Sequence, residues 1–472
     1  MLSADDPLYP FLERVRIFYD TVWRGPNWAG RCYRRRLGHY YRHAVPPDAS
    51  VLEVGCGAGD LLAELPNADL TGLDLSASQL EKARQRLPQA SFIHGAAETF
   101  EPTRRYDVII VSDTLNQAAD VQRLLANLRR AAHRGTRLLI NTHSNLWRPF
   151  FALGETLGIR RPQITSNWLS VSDLANLLDL AEWRPMKREA RILCPVPLLG
   201  LDYLANRFLA PFLPWFCLSV FRVARLKAEP VATLPSVSVI VPARNEAGNI
   251  AAAVSRTPRM GRSTEIIFVE GHSTDDTWAT IERVVAEHPE ITLKALRQSG
   301  RGKGNAVREG FAAASGDMVM ILDADLTMPP EELPKFYEVL ATGKAEFANG
   351  VRLVYPMEKH AMRFLNMCAN HGFSVAFSWL LGQPVKDTLC GTKVLWRRDY
   401  ERVAANRAHF GEFDPFGDFD LLFGANRLQL KIADIPIRYR DRTYGSTNIH
   451  RWRHGMLLLR MVLFAAWRIK FV

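Results

Sequence analysis

The chain has 472 residues, 47% of them hydrophobic and 23% charged. That balance is ordinary for a globular protein and excludes collagen-like, low-complexity and wholly disordered readings. The length predicts two or more domains, and 60 Lys and Arg against 49 Asp and Glu leave a net charge of +11 at pH 7.

In chain order, the start MLSADDPLYPFLERV is acidic and lacks an apolar run, so no secretory signal is expected. The six cysteines, Cys32, Cys56, Cys194, Cys217, Cys368 and Cys390, form no CxxC pair. That argues against a zinc ribbon or a disulfide framework and for a reducing compartment. Three stretches carry the positive excess. Residues 31–42 hold five Arg and no acid, 184–227 hold eight basic and two acidic groups, and 450–472 hold five basic groups and no acid. All three are also rich in aromatic or aliphatic residues. Basic charge beside apolar surface suits an anionic membrane surface. Stacking on nucleic acid and plain solvated faces are the alternatives, and nucleic acid is the least favoured partner.

No transmembrane helix is expected, since a span needs ~20 mostly apolar residues. Residues 198–221 carry Asp202, Arg207, Pro211 and Pro214, and the stretch from Gly455 to Val472 holds Arg460, Arg468 and Lys470. Arg453, Arg460 and Arg468 fall on one helical stripe, which describes a helix lying in an interface. The expected location is cytoplasmic and peripheral, on the inner face of the cell membrane.

Two α/β patterns stand out. In the first, strands are predicted at 51–55, 69–75, 106–113 and 136–142, with helices around 76–87 and 118–132. In the second they are predicted at 236–243, 264–271, 291–297 and 317–325. Short strands alternating with helices imply two mostly parallel sheets. The expected domains are a helical, basic segment at 1–45, a first α/β domain at 46–183 and a basic, Pro-rich linker with membrane-contact character at 184–234. A second α/β domain follows at 235–449, then an amphipathic basic helix at 450–472.

VLEVGCGAGDLL (51–62) reads as a strand, a Gly-rich turn and a helix. Gly55, Gly57 and Gly59 permit close approach of a ligand to the backbone, in a GxGxG spacing rather than the GxGxxG of dinucleotide sites. Asp74 ends the next strand, where an acid accepts ribose hydroxyls. Ala97-Glu98 precedes the strand near Tyr106, a position suited to adenine. On these residues, 48–145 resembles the class I S-adenosylmethionine-dependent methyltransferases. The resemblance implies Glu53, Gly55, Gly57 and Gly59 at the methionine end of S-adenosylmethionine, Asp74 at the ribose and Glu98 at the adenine. VSDTLN (111–116) contains no N/D-P-P-Y tetrad, which argues against amino-methylation of adenine or glutamine. Cys194-Pro195 lies outside the motif region, so C5-pyrimidine chemistry is unsupported. His143 is the candidate base for an oxygen nucleophile, with Asp113 and Asn116 as further candidates. A plain surface histidine is the alternative.

SVSVIVPARNE (236–246) runs into Pro242 and Glu246, and VEGHSTDDT (269–277) places Glu270 at a strand end. Lys303 stands in a Gly-rich turn opening a helix, a phosphate contact. The strand after it ends in Asp323-Ala324-Asp325, two carboxylates able to hold a divalent cation against a diphosphate. With these four elements in order, 236–448 resembles a family 2 glycosyltransferase of the GT-A fold, most like the polyprenyl-phosphate sugar synthases such as dolichol-phosphate mannose synthase. The resemblance implies an inverting single displacement. Pro242, Glu246 and Glu270 would contact the nucleoside, and Asp323 and Asp325 would stand at Mg²⁺ or Mn²⁺ and the diphosphate. DTLCGTKVLWRRDY (387–400) would face the acceptor, Asp418 or Asp420 would be the catalytic carboxylate, with Asp420 the expected base for a sugar-hydroxyl acceptor, and Arg442 a phosphate partner. Amphipathic helices are expected at 357–381. Glu270-Gly271 replaces the usual pair of Asp, leaving UDP or GDP open. Ser446-Thr447-Asn448 replaces the usual Ser-Lys, and Asn448 to Trp452 echoes the QxxRW signature.

The sequence therefore predicts a bifunctional enzyme of two Rossmann-like domains. One would transfer a sugar from a nucleotide sugar to a lipid-phosphate or envelope-glycan acceptor, and the other a methyl group to an acceptor the sequence does not name. A non-catalytic S-adenosylmethionine-binding scaffold, or a nucleic-acid methyltransferase, is the alternative for the N-terminal domain.

Overall fold

The computed structural model describes residues 6–158, 160–161, 167–227, 231–355, 364–407, 417–440, 442, 444 and 451–472, with backbone alone at 364–369 and 451–455. It divides into two units, Met1–Lys227 with Lys470–Val472, and Ala228–Ile469.

The first unit is built on seven strands: β1 (Val51–Val54), β2 (Leu70–Asp74), β3 (Ser91–His94), β4 (Tyr106–Ser112), β5 (Ala132–His143), β6 (Trp183–Arg191) and β7 (Ser219–Leu226). Their order is β3-β2-β1-β4-β5-β7-β6. The strands from β3 to β5 pair in parallel, and β7 closes antiparallel to both β5 and β6. Alternation along the central strands sends side chains into two layers. Leu52, Val54, Ile109, Val111, Leu138 and Ile140 pack into one, and Val51, Val108, Ile110 and Leu139 into the other.

Here the expected linker is corrected. Residues 184–234 are not a tether: β6 and β7 lie within them and form one end of the sheet. The composition concealed this because arginines are threaded through both strands, with Arg191, Arg222 and Arg225 nonetheless buried. The basic N-terminal segment is helical, at Tyr9–Ile17 and Trp28–Ala44. Asn27 caps the second helix by accepting from the Gly30 N–H at 2.9 Å.

The second unit carries β8 (Val237–Ala243), β9 (Thr264–Glu270), β10 (Thr292–Arg297), β11 (Met318–Ile321), β12 (Phe347–Val351), β13 (Lys393–Trp396) and β14 (Ile432–Pro436). The order is β10-β9-β8-β11-β13-β12-β14. β10 to β11 run parallel, β13 is antiparallel to β11 and β12, and β14 is parallel to β12. The fold class expected from sequence, two Rossmann-like α/β sheets, is the one observed. The parallel part of each sheet reverses its strand order near the middle of the sheet, between β1 and β4 and between β8 and β11. Open α/β sheets bind ligands at such points. A helix occupies Arg451–Ile469, and another Phe364–Leu381. No helix among the described residues is long and apolar enough to cross a membrane. The Ser446-Thr447-Asn448 segment, and with it the first three residues of the QxxRW echo, lies outside the described residues.

Candidate active sites

In the first unit the strand ends open on a cavity of about 670 Å³, a volume typical of small-molecule sites. The turn after β1 forms its floor. Gly55 holds φ +74°, and a Cβ there would stand 2.5 Å from the Thr114 hydroxyl, so only glycine fits. Gly57 and Gly59 are also left-handed. Glu53 is 3% exposed, and its Oε2 has no hydrogen-bond partner. Burial drives its carboxyl well above the usual range, and the Arg34 charge opposes this. An orphaned buried carboxylate oxygen is the complement of a ligand ammonium. Asp74 accepts from the Gly57 N–H at 2.7 Å and the Ser76 N–H at 2.8 Å, which fixes its carboxylate in the cavity wall. Glu98 also lines the cavity, and it accepts from the Ala119 N–H at 3.0 Å. The donor set fits S-adenosylmethionine.

His143, the last residue of β5, is no plain surface residue. Its side chain is 12% exposed and lines the same cavity. Nδ1 lies 3.6 Å from Asp113 Oδ1 and 3.5 Å from the Tyr33 hydroxyl. Tyr33 donates to Asp113 Oδ2 at 3.0 Å, and Asn141 Nδ2 donates to Asp113 Oδ1 at 2.7 Å. Asp113 sits at φ +56°, a left-handed conformation that aims its carboxylate between these groups. Burial lowers the His143 pKa, with Asp113 pulling it back up. Tyr33, on the basic N-terminal helix, is a site residue that sequence reasoning missed. No local signal marks it, because its partner is 80 positions away.

In the second unit the end of β11 brings together residues as far as 196 positions apart in sequence. Lys303 Nζ stands 2.5 Å from Asp323 Oδ1. Arg442 donates to Asp325 Oδ2 at 2.6 Å and to Glu246 Oε1 at 2.9 Å. Asp325 also accepts from the Thr327 hydroxyl at 2.9 Å. Lys303 is held well above its ordinary pKa by Asp323, Asp418 and Asp325 against the cost of burial. Burial raises the Asp323 pKa, but the Lys303, Lys393 and Arg352 charges outweigh it and leave the carboxyl below its usual value. Glu270 is buried at the β9 edge and accepts from the Ser273 N–H. A Cβ at Gly271 would stand 3.0 Å from the Gln298 side chain. A second acid there would press on Gln298. Pro242 lies near the end of β8, paired in register with Val269.

The segment after Asp387 folds against this cluster. Gly391 is the contact point: a Cβ there would fall inside contact distance of both Asp323 and Lys303. Asp387 is fully buried, and Arg352 grips it through two bonds of 2.7 and 2.9 Å. Arg352 holds its carboxyl down to about 2, although burial pushes the other way. Asp418 and Asp420 part company. The Asp418 charge reaches Lys303, whereas Asp420 pairs with Arg407 at 2.7 Å. Two positions apart on one helix turn they face different sides. Asp323 and Asp325 offer hard carboxylate oxygens of the kind Mg²⁺ and Mn²⁺ take. Among the described residues no cluster of three or more His, Cys, Asp or Glu completes a metal cage.

Residues 238–403 match the family model for glycosyl transferase family 2, and residues 52–138 match the model for a methyltransferase domain. The chain is 36% identical over 219 residues to a dolichol-phosphate mannosyltransferase of Pyrococcus furiosus, covering 45% of this chain and 59% of that protein. It is 35% identical to an undecaprenyl-phosphate 4-deoxy-4-formamido-L-arabinose transferase of Serratia proteamaculans, covering 47% of this chain and 64% of that protein. The chain thus spans about three-fifths of the length of these curated relatives. Among solved structures, glucosyl-3-phosphoglycerate synthase from Mycobacterium tuberculosis with Mn²⁺ and UDP aligns at 22% identity and TM-score 0.36, over 50% of this chain and 80% of that one. A methyltransferase from Thermotoga maritima aligns at 17% identity and TM-score 0.34, over 46% of this chain and 99% of that one.

Proposed function

Because the chain joins a methyltransferase domain to a glycosyl transferase family 2 domain, we propose that it is a bifunctional transferase acting on a lipid-linked or envelope glycan. The second unit would move a sugar, with inversion, from a UDP- or GDP-sugar to a polyprenyl phosphate or to a glycan hydroxyl. The first would transfer the methyl group of S-adenosylmethionine to an oxygen of an acceptor in the same pathway. An anionic membrane surface belongs to this reading as the place where a polyprenyl phosphate is met.

The observation that carries the reading is the cross-paired cluster at β11. Lys303 and Arg442 neutralise the two carboxylates that a cation would otherwise hold. Entry of a diphosphate offers both bases a better anionic partner and releases Asp323 and Asp325. A divalent cation bound there would offset charge building on the departing nucleoside diphosphate. Glu246 and Glu270 border the nucleoside side, and Gly391 leaves room for the Asp323 and Lys303 side chains. A phosphate acceptor is already ionised and needs no base. For a hydroxyl acceptor Asp418 is better placed than Asp420, which Arg407 engages. In the first unit Glu53 and Asp74 would anchor S-adenosylmethionine, with Glu98 bordering the adenine. His143, neutral and steered by Asp113 and Tyr33, would take the acceptor proton.

The test is radiolabel transfer from UDP- and GDP-sugars into the solvent-extractable lipid of membranes, with Mg²⁺ or Mn²⁺ and an EDTA control. EDTA-sensitive label in that fraction supports the lipid-phosphate reading. Donor consumption with no lipid label moves the acceptor to a glycan hydroxyl, and no donor consumption overturns the reading.

A further inference from the structure

The connection between β6 and β7 runs from residue 192 to residue 218, whereas an antiparallel pair ordinarily needs only ~2–5 residues. Leu199, at its outer turn, is fully exposed, although its backbone sits at φ +46°. A leucine there is a backbone outlier. Strain spent on presenting an apolar side chain to solvent calls for a partner. Leu198, Leu201, Leu204 and Leu209 are more than half exposed as well, with Phe212 and Phe216, and Trp215 reaches 73%.

The excursion is built, not slack. Asp202, 8% exposed, accepts from the Leu198 N–H at 2.8 Å and pairs with Arg36. Asn206, 4% exposed, accepts from the Cys194 N–H at 2.9 Å and returns a bond to its carbonyl at 2.8 Å. Against it stands one face of the helix Trp28–Ala44, and between them lies a cavity of about 360 Å³ lined by Arg35, Arg36, His39, Tyr40, Tyr203 and Arg207. That helix contains no acid. Arg207 lies over the rings of Tyr203 and Phe208, a cation resting on apolar surface. Burial lowers the His39 pKa, and Arg42, Arg207, Arg191 and Arg36 lower it further, so the local field is positive.

We propose that this excursion docks the first unit on an anionic phospholipid bilayer. Its leucine and aromatic tip enters the interface, while the arginine-lined cavity takes a lipid phosphate. The exposed aromatics could stack on bases, but the exposed leucines among them offer no π-face, and apolar bulk of that kind beside arginines suits a charged lipid interface. The proposal deepens the lipid-acceptor reading and rests on it only for what docking would serve.

The test is co-sedimentation of the full chain with vesicles of phosphatidylcholine alone and of phosphatidylcholine mixed with phosphatidylglycerol, without donor or cofactor. Binding to the mixed vesicles only, weakening with salt, is expected. The double variant R35Q/R207Q should lose about thirtyfold in partitioning, as each basic side chain near an anionic leaflet contributes about 1 kcal/mol. Leu199→Ser and Trp215→Ser should each lose about tenfold from forfeited apolar burial. All should keep the wild-type melting temperature and sugar transfer to a detergent-dispersed acceptor. Absence of vesicle binding overturns the proposal, as do variants that bind unchanged, RNA binding in its place, or self-association through this face in lipid-free ultracentrifugation. Failure of sugar transfer with vesicle binding intact would instead remove the glycosyltransferase reading.

Discussion

Lys303 Nζ and Asp323 Oδ1 stand 2.5 Å apart, at the mouth of a helix and the end of a strand. Each is the other's counter-ion, and on the proposed reading a diphosphate would replace both partners. Asp323→Asn should therefore reduce sugar transfer by about 10²–10³-fold, the scale of losing a preorganised charge at the reacting group. Calorimetric titration with the nucleotide sugar would show whether the loss lies in binding or in turnover. Unimpaired transfer would remove Asp323 from the site.

Gly391 leaves room where any side chain would press on that pair. Gly391→Ala should cost about 1–3 kcal/mol of stability from overpacking and suppress transfer more than Gly343→Ala, a change in a turn away from the cluster. Urea unfolding beside initial-rate measurements separates the two effects.

Asp387 gives the second unit an acid-sensitive element. Folding favours its ionised form because Arg352 holds the carboxyl down to about 2. The contribution is complete above the ordinary aspartate range and is lost as pH falls toward 2, amounting to about 2 kcal/mol. Asp387→Asn should remove this slope between pH 5 and pH 2 from urea-unfolding curves, and leaves Arg352 buried without its charge partner, at a cost of about 3–5 kcal/mol.

His143 is kept neutral by burial, so methyl transfer should hold its rate below the ordinary histidine range before it falls. His143→Ala should lower turnover by about 10²–10⁴-fold while S-adenosylmethionine binding is retained in equilibrium dialysis. Tyr33→Phe removes the hydroxyl that bonds Asp113 and, at 2.8 Å, Ser219 Oγ, and should shift the pH profile rather than abolish the rate. An unchanged profile would count against the network.

Much of this site was legible because local patterns encode local geometry. The strand ends carrying Gly55, Asp74, Pro242 and Asp323 all stand out as apolar runs followed by turn chemistry, although the helix expected after the Gly55 turn is only a three-residue 3-10 helix, Leu62–Glu64. What escaped was set by tertiary contact. Tyr33 reads as one aromatic among arginines, and only the fold brings it to Asp113. β6 and β7 read as a linker because their arginines mask the alternation, while β12 and β14 are short and neighbour strands far away in sequence. Asp418 and Asp420 are indistinguishable in FGDFDLL, and the helix register decides which one faces Lys303.

The first unit also includes the chain's last three described residues, so the second is, in sequence, an insertion near the first one's end. Lys470 Nζ lies 2.6 Å from Glu189 Oε1 on β6, and Arg191 donates to the Lys470 carbonyl at 2.6 Å. On the ribosome, β6 emerges long before Lys470 is made. Glu189 is not stranded in the interval, because Lys187 and Arg191 lie 3.0 and 3.1 Å from it. The methyltransferase sheet can thus close during synthesis, and the late-arriving lysine acts as a latch fastened only after the glycosyltransferase unit has been translated.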